Sequence, residues 1–111
     1  RLIGPARAAE FAYTGRLIDA VEAEDIGLIN TIVPPDALIS EAVSMAEKIC
    51  SNSPGGVQLS KRALQANMEV ASYAAALELE NRGQALLTRG QDMPEALAAF
   101  KEKRAPRFTG K

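Results

Sequence analysis

Residues 14–38, TGRLIDAVEAEDIGLINTIVPPDAL, constrain the fold most, because only here does helical spacing of apolar residues stop, give way to an extended run and restart. Gly15 closes a first helix, Asp19 with Glu22 three residues on forms the capping pattern of a short second one, and Gly27 ends it. Leu28 to Val33 is β-branched at Ile29, Thr31, Ile32 and Val33 and runs into Pro34 and Pro35, which have no N–H to extend a ladder. This predicts one short strand. A solitary strand makes no sheet, so it would pair with an edge outside these residues.

The rest of the chain has helical spacing. Pro5 to Tyr13 follows Gly4, with proline in the first turn and Ala8, Phe11 and Ala12 on one side. Asp36 is expected to cap a helix over Ala37 to Cys50, with Leu38, Ala42, Met45 and Ile49 in one apolar row and Glu41, Ser44, Glu47 and Lys48 facing away. After the turn SNSPGG, with Ser53 as cap, a helix is predicted to about Glu69 or Val70. Lys61 shares its apolar row with Val57, Leu64 and Met68, and Glu80 lies on the inner side of the next helix, Ser72 to about Arg89. A pairing of Lys61 with Glu80 is expected. Asp92 with Glu95 is another capping box, Pro94 falls in the first turn, and the helix is expected to reach Lys103. The end, RAPRFTGK, should be extended.

Composition narrows the chemistry. At 111 residues and 47% apolar content the chain suits one domain. Thirteen basic against fourteen acidic residues leave a net charge of -1, and no global field draws nucleic acid or an anionic membrane. There is no histidine, no glycine-rich phosphate loop and no metal-ligand spacing. The one cysteine, Cys50, is expected as a small buried hydrophobe, since no histidine exists to activate it. No apolar run approaches the roughly 18 residues of a membrane span, and no charged-then-apolar leader opens the chain. A cytoplasmic or, in a eukaryote, mitochondrial-matrix protein is expected. The opening RLIG lacks an initiator methionine and runs straight into a helix, as in a piece of a longer chain.

YTGRLIDAVEAEDIGLINTIVPPDAL resembles a segment of the crotonase (enoyl-CoA hydratase/isomerase) superfamily: threonine-glycine, an alanine-rich turn, a glycine-leucine strand, then proline and a new helix. SNSPGGVQLSKRAL is similar to that family's serine-proline helix start with its later lysine. Leu77 to Glu80 and DMPEALAAFKEKRAPRFTGK resemble its later motifs in the same order. Two positions depart from the pattern: Gly55-Gly56 replaces the usual apolar or alanine residues and should loosen the helix start, and Ala96 stands where many members have glycine.

The resemblance implies a mainly α chain, the helical carboxy-terminal domain of the crotonase (ClpP/crotonase-like) fold with one short strand. Residues 1–35 would join a preceding amino-terminal core, and residues 36–111 would form the helical oligomerisation and acyl-CoA-covering domain with a basic tail. The oxyanion hole and catalytic glutamates of the family would precede Arg1, so no catalytic residue is assigned here and the chain alone is expected to be inactive. Phe100 and Lys103 match positions that in some members contact the adenine and phosphate end of coenzyme A, often across a subunit interface. An aromatic face stacks on a base and an ammonium pairs with a phosphate. Residue types alone favour Phe100 as an apolar anchor beside Leu97 and Lys103 as a charge that suits a helix C-terminus, and it is the resemblance that turns the reading towards coenzyme A. The implied partners are further copies of the chain, as a trimer or higher oligomer, and an acyl-CoA substrate that carries coenzyme A itself, with no separate cofactor, no metal and no membrane. The family's chemistry would be hydration of an enoyl-CoA or shift of its double bond. Two other functions stay open: a non-catalytic helical oligomerisation module, and an RNA-associated hydratase relative using Lys101, Lys103, Arg104, Arg107 and Lys111, although Phe108 is the only aromatic in that tail.

Overall fold

The computed structural model describes residues 1–111 and contains six α-helices and one 3-10 turn: α1 Pro5–Thr14, α2 Ala20–Asp25, the turn Pro35–Ala37, α3 Leu38–Cys50, α4 Pro54–Asn67, α5 Tyr73–Leu87 and α6 Asp92–Glu102. The chain divides into two compact units, Arg1–Ala42 and Val43–Lys111, with α3 starting in the first and ending in the second.

In the first unit, Pro5 opens α1 and Gly15 closes it at φ 64, its N–H donating to Phe11 O at 2.9 Å. Asp19 caps α2 by accepting from Glu22 N at 2.8 Å. The reciprocal half of that capping box is not made. Glu22 instead accepts from both terminal nitrogens of Arg16, at 2.9 and 2.6 Å. Arg16 also donates to Glu10 at 2.9 Å and lies over the Phe11 ring, 4.5 Å from its centroid. One guanidinium therefore ties α1 to the start of α2, and it holds the Glu22 carboxyl below the usual carboxylate range.

The strand expected at Leu28 to Val33 is absent; these residues form bends followed by irregular chain. The amides explain why. Leu28 N and Ile29 N both donate to the buried Ala23 O, at 2.8 and 3.2 Å, and Ile32 N donates to Glu24 Oε1 at 3.0 Å. With these donors turned back onto α2 and the two prolines offering none, no ladder forms along this run. Asp36 does not cap α3. It sits inside the 3-10 turn that follows Pro34 and leads the chain into α3.

Along α3 neither face is buried: Val43, Met45 and Ile49 of the expected inner rows are exposed, as are Glu41, Glu47 and Lys48, and Ser44, expected to face away, is half-buried. Cys50 is exposed too, because its apolar row has nothing packed on it. In the second unit, Ser53 caps α4 by accepting from Gly56 N at 3.4 Å, with Pro54 in the first turn. Helices α4 and α5 pack against each other. Gly55 belongs to that contact rather than loosening it: a Cβ there would lie 3.2 Å from Leu87 Cδ2. Asn67 Nδ2 donates to Glu80 at 3.1 Å, so Glu80 pairs with the end of α4 and not with Lys61, which lies on an exposed part of the helix.

Few side chains are enclosed. Ala23 and Ala99 are the buried apolar residues and Asp92 the buried polar one, whereas Leu17 is 95% and Phe100 86% exposed.

Candidate functional site

A cluster of carboxylates bonded to the tail lies along α6 in the second unit. Asp92 and Glu95 were expected to cap this helix, but the cap position is Gln91, and both carboxylates are turned to the tail. Helix α6 ends at Glu102, and Lys103 reverses the chain with φ 53 and ψ 39, the left-handed region that a side chain resists by about 1–2 kcal/mol. Contacts along residues 104–111 hold the reversal in place. Arg104 clasps Glu95 through both terminal nitrogens, at 2.6 and 3.0 Å, and donates through Nε to Glu102 at 2.6 Å. Arg107 N donates to Glu95 Oε1 at 2.7 Å. Thr109 N donates to Asp92 Oδ1 at 2.8 Å, and Gly110 N is shared between the two Asp92 oxygens at 3.2 and 3.1 Å. Gln91 N closes the series on Lys111 O at 2.7 Å. The tail thus runs back along α6 towards its N-terminus.

Asp92 also accepts from Ser53 Oγ at 2.9 Å, which joins the tail to the start of α4. Hydrogen bonds from Thr109, and then from Ser53 and Gly110, lower the Asp92 carboxyl against the opposing effect of its burial. Arg104, followed by the Arg107 amide, holds Glu95 at about 2. Both are carboxylates across the neutral range. Gly90 permits the final contact, since a Cβ there would lie 3.2 Å from Lys111 O.

Phe100 and Lys103 lie at the far end of the same helix. Lys103 N donates to Phe100 O at 3.3 Å within the reversal, and both residues are exposed. The Lys103 ammonium makes no ion pair. The tail's basic cluster is less basic than its composition, because Arg104 is neutralised by Glu95 and Glu102. The polar framework that holds the tail escaped sequence reasoning, as did the Arg16 clasp. A signal existed for the latter: Arg16 stands six residues from both Glu10 and Glu22. For the former, the spacing of Asp92 and Glu95 matched a capping box equally well.

Two open concavities lie in this unit. One of ≈ 590 Å³ runs between α4 and α5, lined by Leu59, Ala63, Ala66, Leu79, Gly83 and Leu86 among others. The second, ≈ 550 Å³, is bordered by Cys50, Pro54, Pro106, Arg107 and Phe108.

The helices and the pinned tail are those of the helical carboxy-terminal domain of the crotonase fold. The chain superposes on a crystal structure of an enoyl-CoA hydratase from Bacillus anthracis with a TM-score of 0.94 and 41% identity, over 99% of this chain and 42% of that one. The family model for enoyl-CoA hydratase/isomerase matches residues 1–111, and the chain belongs to that family. A probable mitochondrial enoyl-CoA hydratase 2 of Arabidopsis thaliana is 38% identical over 110 residues, which are 99% of this chain and 36% of that protein. A probable enoyl-CoA hydratase of Rhizobium meliloti is 39% identical over 108 residues, 97% of this chain and 42% of the relative. The chain therefore spans about two fifths of the length of these relatives. No helix in it is long and apolar enough to cross a membrane.

Proposed function

We propose that these residues are the helical part of an enzyme acting on enoyl-CoA thioesters, by hydration or double-bond shift through a thioester enolate. The observation that carries this is the match of the whole chain to the enoyl-CoA hydratase/isomerase family, with a solved hydratase superposing at a TM-score of 0.94. In such an enzyme an oxyanion hole stabilises the enolate and glutamates move the protons. This chain's share is binding and assembly. Phe100 stacks on the adenine and Lys103 pairs with a phosphate of coenzyme A; an exposed aromatic beside an ammonium with no ion pair suits both contacts. Coenzyme A enters as part of the substrate and no other cofactor is needed. The working compartment is the cytoplasm, or the mitochondrial matrix in a eukaryote, and the pathway is fatty acid metabolism.

The test is kinetic. In the complete enzyme, Lys103→Glu is expected to raise KM for a short enoyl-CoA about 10-fold while kcat changes little, because the contact is made equally in ground and transition states. An unchanged KM would remove Lys103 from the binding site.

The outward apolar side chains are assigned to contacts between copies of the chain, as a trimer or higher oligomer. Sedimentation equilibrium of the 111-residue chain is expected to show a closed oligomer that dissociates on dilution. A monomer at every concentration would show that those side chains serve no self-association.

A further inference from the structure

We propose that Asp92 is a positioning residue for coenzyme A binding: by pinning the tail along α6 it fixes the left-handed reversal that presents Lys103 beside Phe100. The inference rests on the assignment of Phe100 and Lys103 to the nucleotide end of the substrate, and adds a residue at the opposite end of the helix.

The geometry carries it. Lys103 occupies a backbone conformation that side chains disfavour, so the reversal persists only where other contacts enforce it. Arg104 N closes the turn itself on Ala99 O at 3.0 Å, and the residues of the tail add further contacts in strict order. Arg104 and Arg107 meet Glu95, Thr109 and Gly110 meet Asp92, and Lys111 meets Gln91. Glu95 holds the near half of the tail and Asp92 the far half. Asp92 is the buried member, 8% exposed, and it alone also reaches outside α6 and the tail, to Ser53 at the start of α4. Without it the polar anchors of the last residues reduce to Gln91, beside the close approach of Gly110 to Pro54, and the tail frays from its free end towards the reversal. Phe100 and Lys103 are solvent-exposed, so packing does not set their spacing; the reversal does. A ligand that must order this turn on binding loses affinity relative to one that meets it preformed.

The effect belongs to binding and to the nucleotide part of the substrate alone, which separates it from general loss of stability. The experiment measures kcat and KM in the complete enzyme for two substrates, a short enoyl-CoA and the same acyl group on pantetheine, which lacks the nucleotide. Three variants are compared with the parent: Asp92→Ala, Thr109→Pro and Lys103→Ala. Thr109→Pro removes the Thr109 amide and hydroxyl donors and leaves only Gly110 N on Asp92 from the tail, with Asp92 itself untouched, so the test survives if Asp92→Ala does not fold. Asp92→Ala and Thr109→Pro are expected to raise KM for the CoA thioester about 5-fold to 10-fold, with kcat retained and the pantetheine thioester unaffected. If Lys103→Ala raises KM for the CoA thioester and the two tail variants do not, the positioning role is overturned while the binding assignment stands. If Lys103→Ala itself has no effect, the binding assignment fails and takes the inference with it. A fall in kcat for both substrates would make Asp92 a structural residue only.

Discussion

Ala99→Asp is expected to unfold the second unit at ordinary temperature. Ala99 is 2% exposed, the most enclosed residue named in the chain, and its carbonyl accepts from Arg104 N at 3.0 Å, where the tail turns back. A carboxylate placed there loses its hydration, and the guanidinium of Arg104, the residue whose amide meets the Ala99 carbonyl, is already engaged by Glu95 and Glu102. An unpaired buried charge costs about 3–5 kcal/mol, a large part of the stability of a small domain. Ala99→Ser, which adds one hydroxyl able to bond to the preceding helical turn, is expected to cost about 1 kcal/mol. Urea unfolding of the two variants followed by circular dichroism checks the pair. Equal midpoints would mean that the site opens to water more readily than its enclosure suggests.

The second large effect is the release of the tail in acid. Glu95 is held at about 2, against 4.5 for a free glutamate, and Asp92 is also lowered from 3.8. Both carboxyls are more acidic folded than unfolded, so their stabilisation is complete above about 4.5 and declines as pH falls towards 2. Protonation of Glu95 breaks the clasp on Arg104, and protonation of Asp92 turns an acceptor oxygen into a donor facing the Thr109 and Gly110 amides. Hydrogen exchange at those two amides, measured from pH 6 to pH 2 and corrected for the intrinsic pH dependence of exchange, is expected to lose at least about 10-fold of its protection across this window. The amide of Thr88, bonded at the end of α5 to Gln84 O, serves as internal reference and is expected to keep its protection. Protection of Thr109 and Gly110 that stays flat down to pH 2 would show that the backbone contact at Gln91 holds the tail unaided.

The contrast between local and long-range legibility follows from what each feature depends on. Proline at the start of α1 and α4, the Ser53 cap and the αL glycine after α1 were visible in the chain because each is decided within four residues. The same local logic misplaced the strand. Ile29, Thr31, Ile32 and Val33 have strand propensity, yet their segment's donors are drawn back to Ala23 and Glu24. Propensity yields there to the supply of partners. Asp92 and Glu95 show the sharper case. Their spacing satisfies a capping box, and the deciding facts, donors at Thr109 and Gly110 and a guanidinium at Arg104, lie 9 to 18 residues away.

Of the candidate site, residue types at Phe100 and Lys103 were legible as chemistry, an aromatic face and an ammonium three residues apart on a helix end. The helix end was legible to within a residue, but nothing in their spacing announced that Lys103 turns the chain with a positive φ. By itself the sequence determined the helices, most of their ends and the family, because these depend on periodicity, short-range caps and residue types. The tertiary structure alone decided where the carboxylates and guanidiniums of α1, α2, α6 and the tail are spent. An ion pair or a clamp is chosen by distances in space, and many pairings along one chain are compatible with the same local pattern.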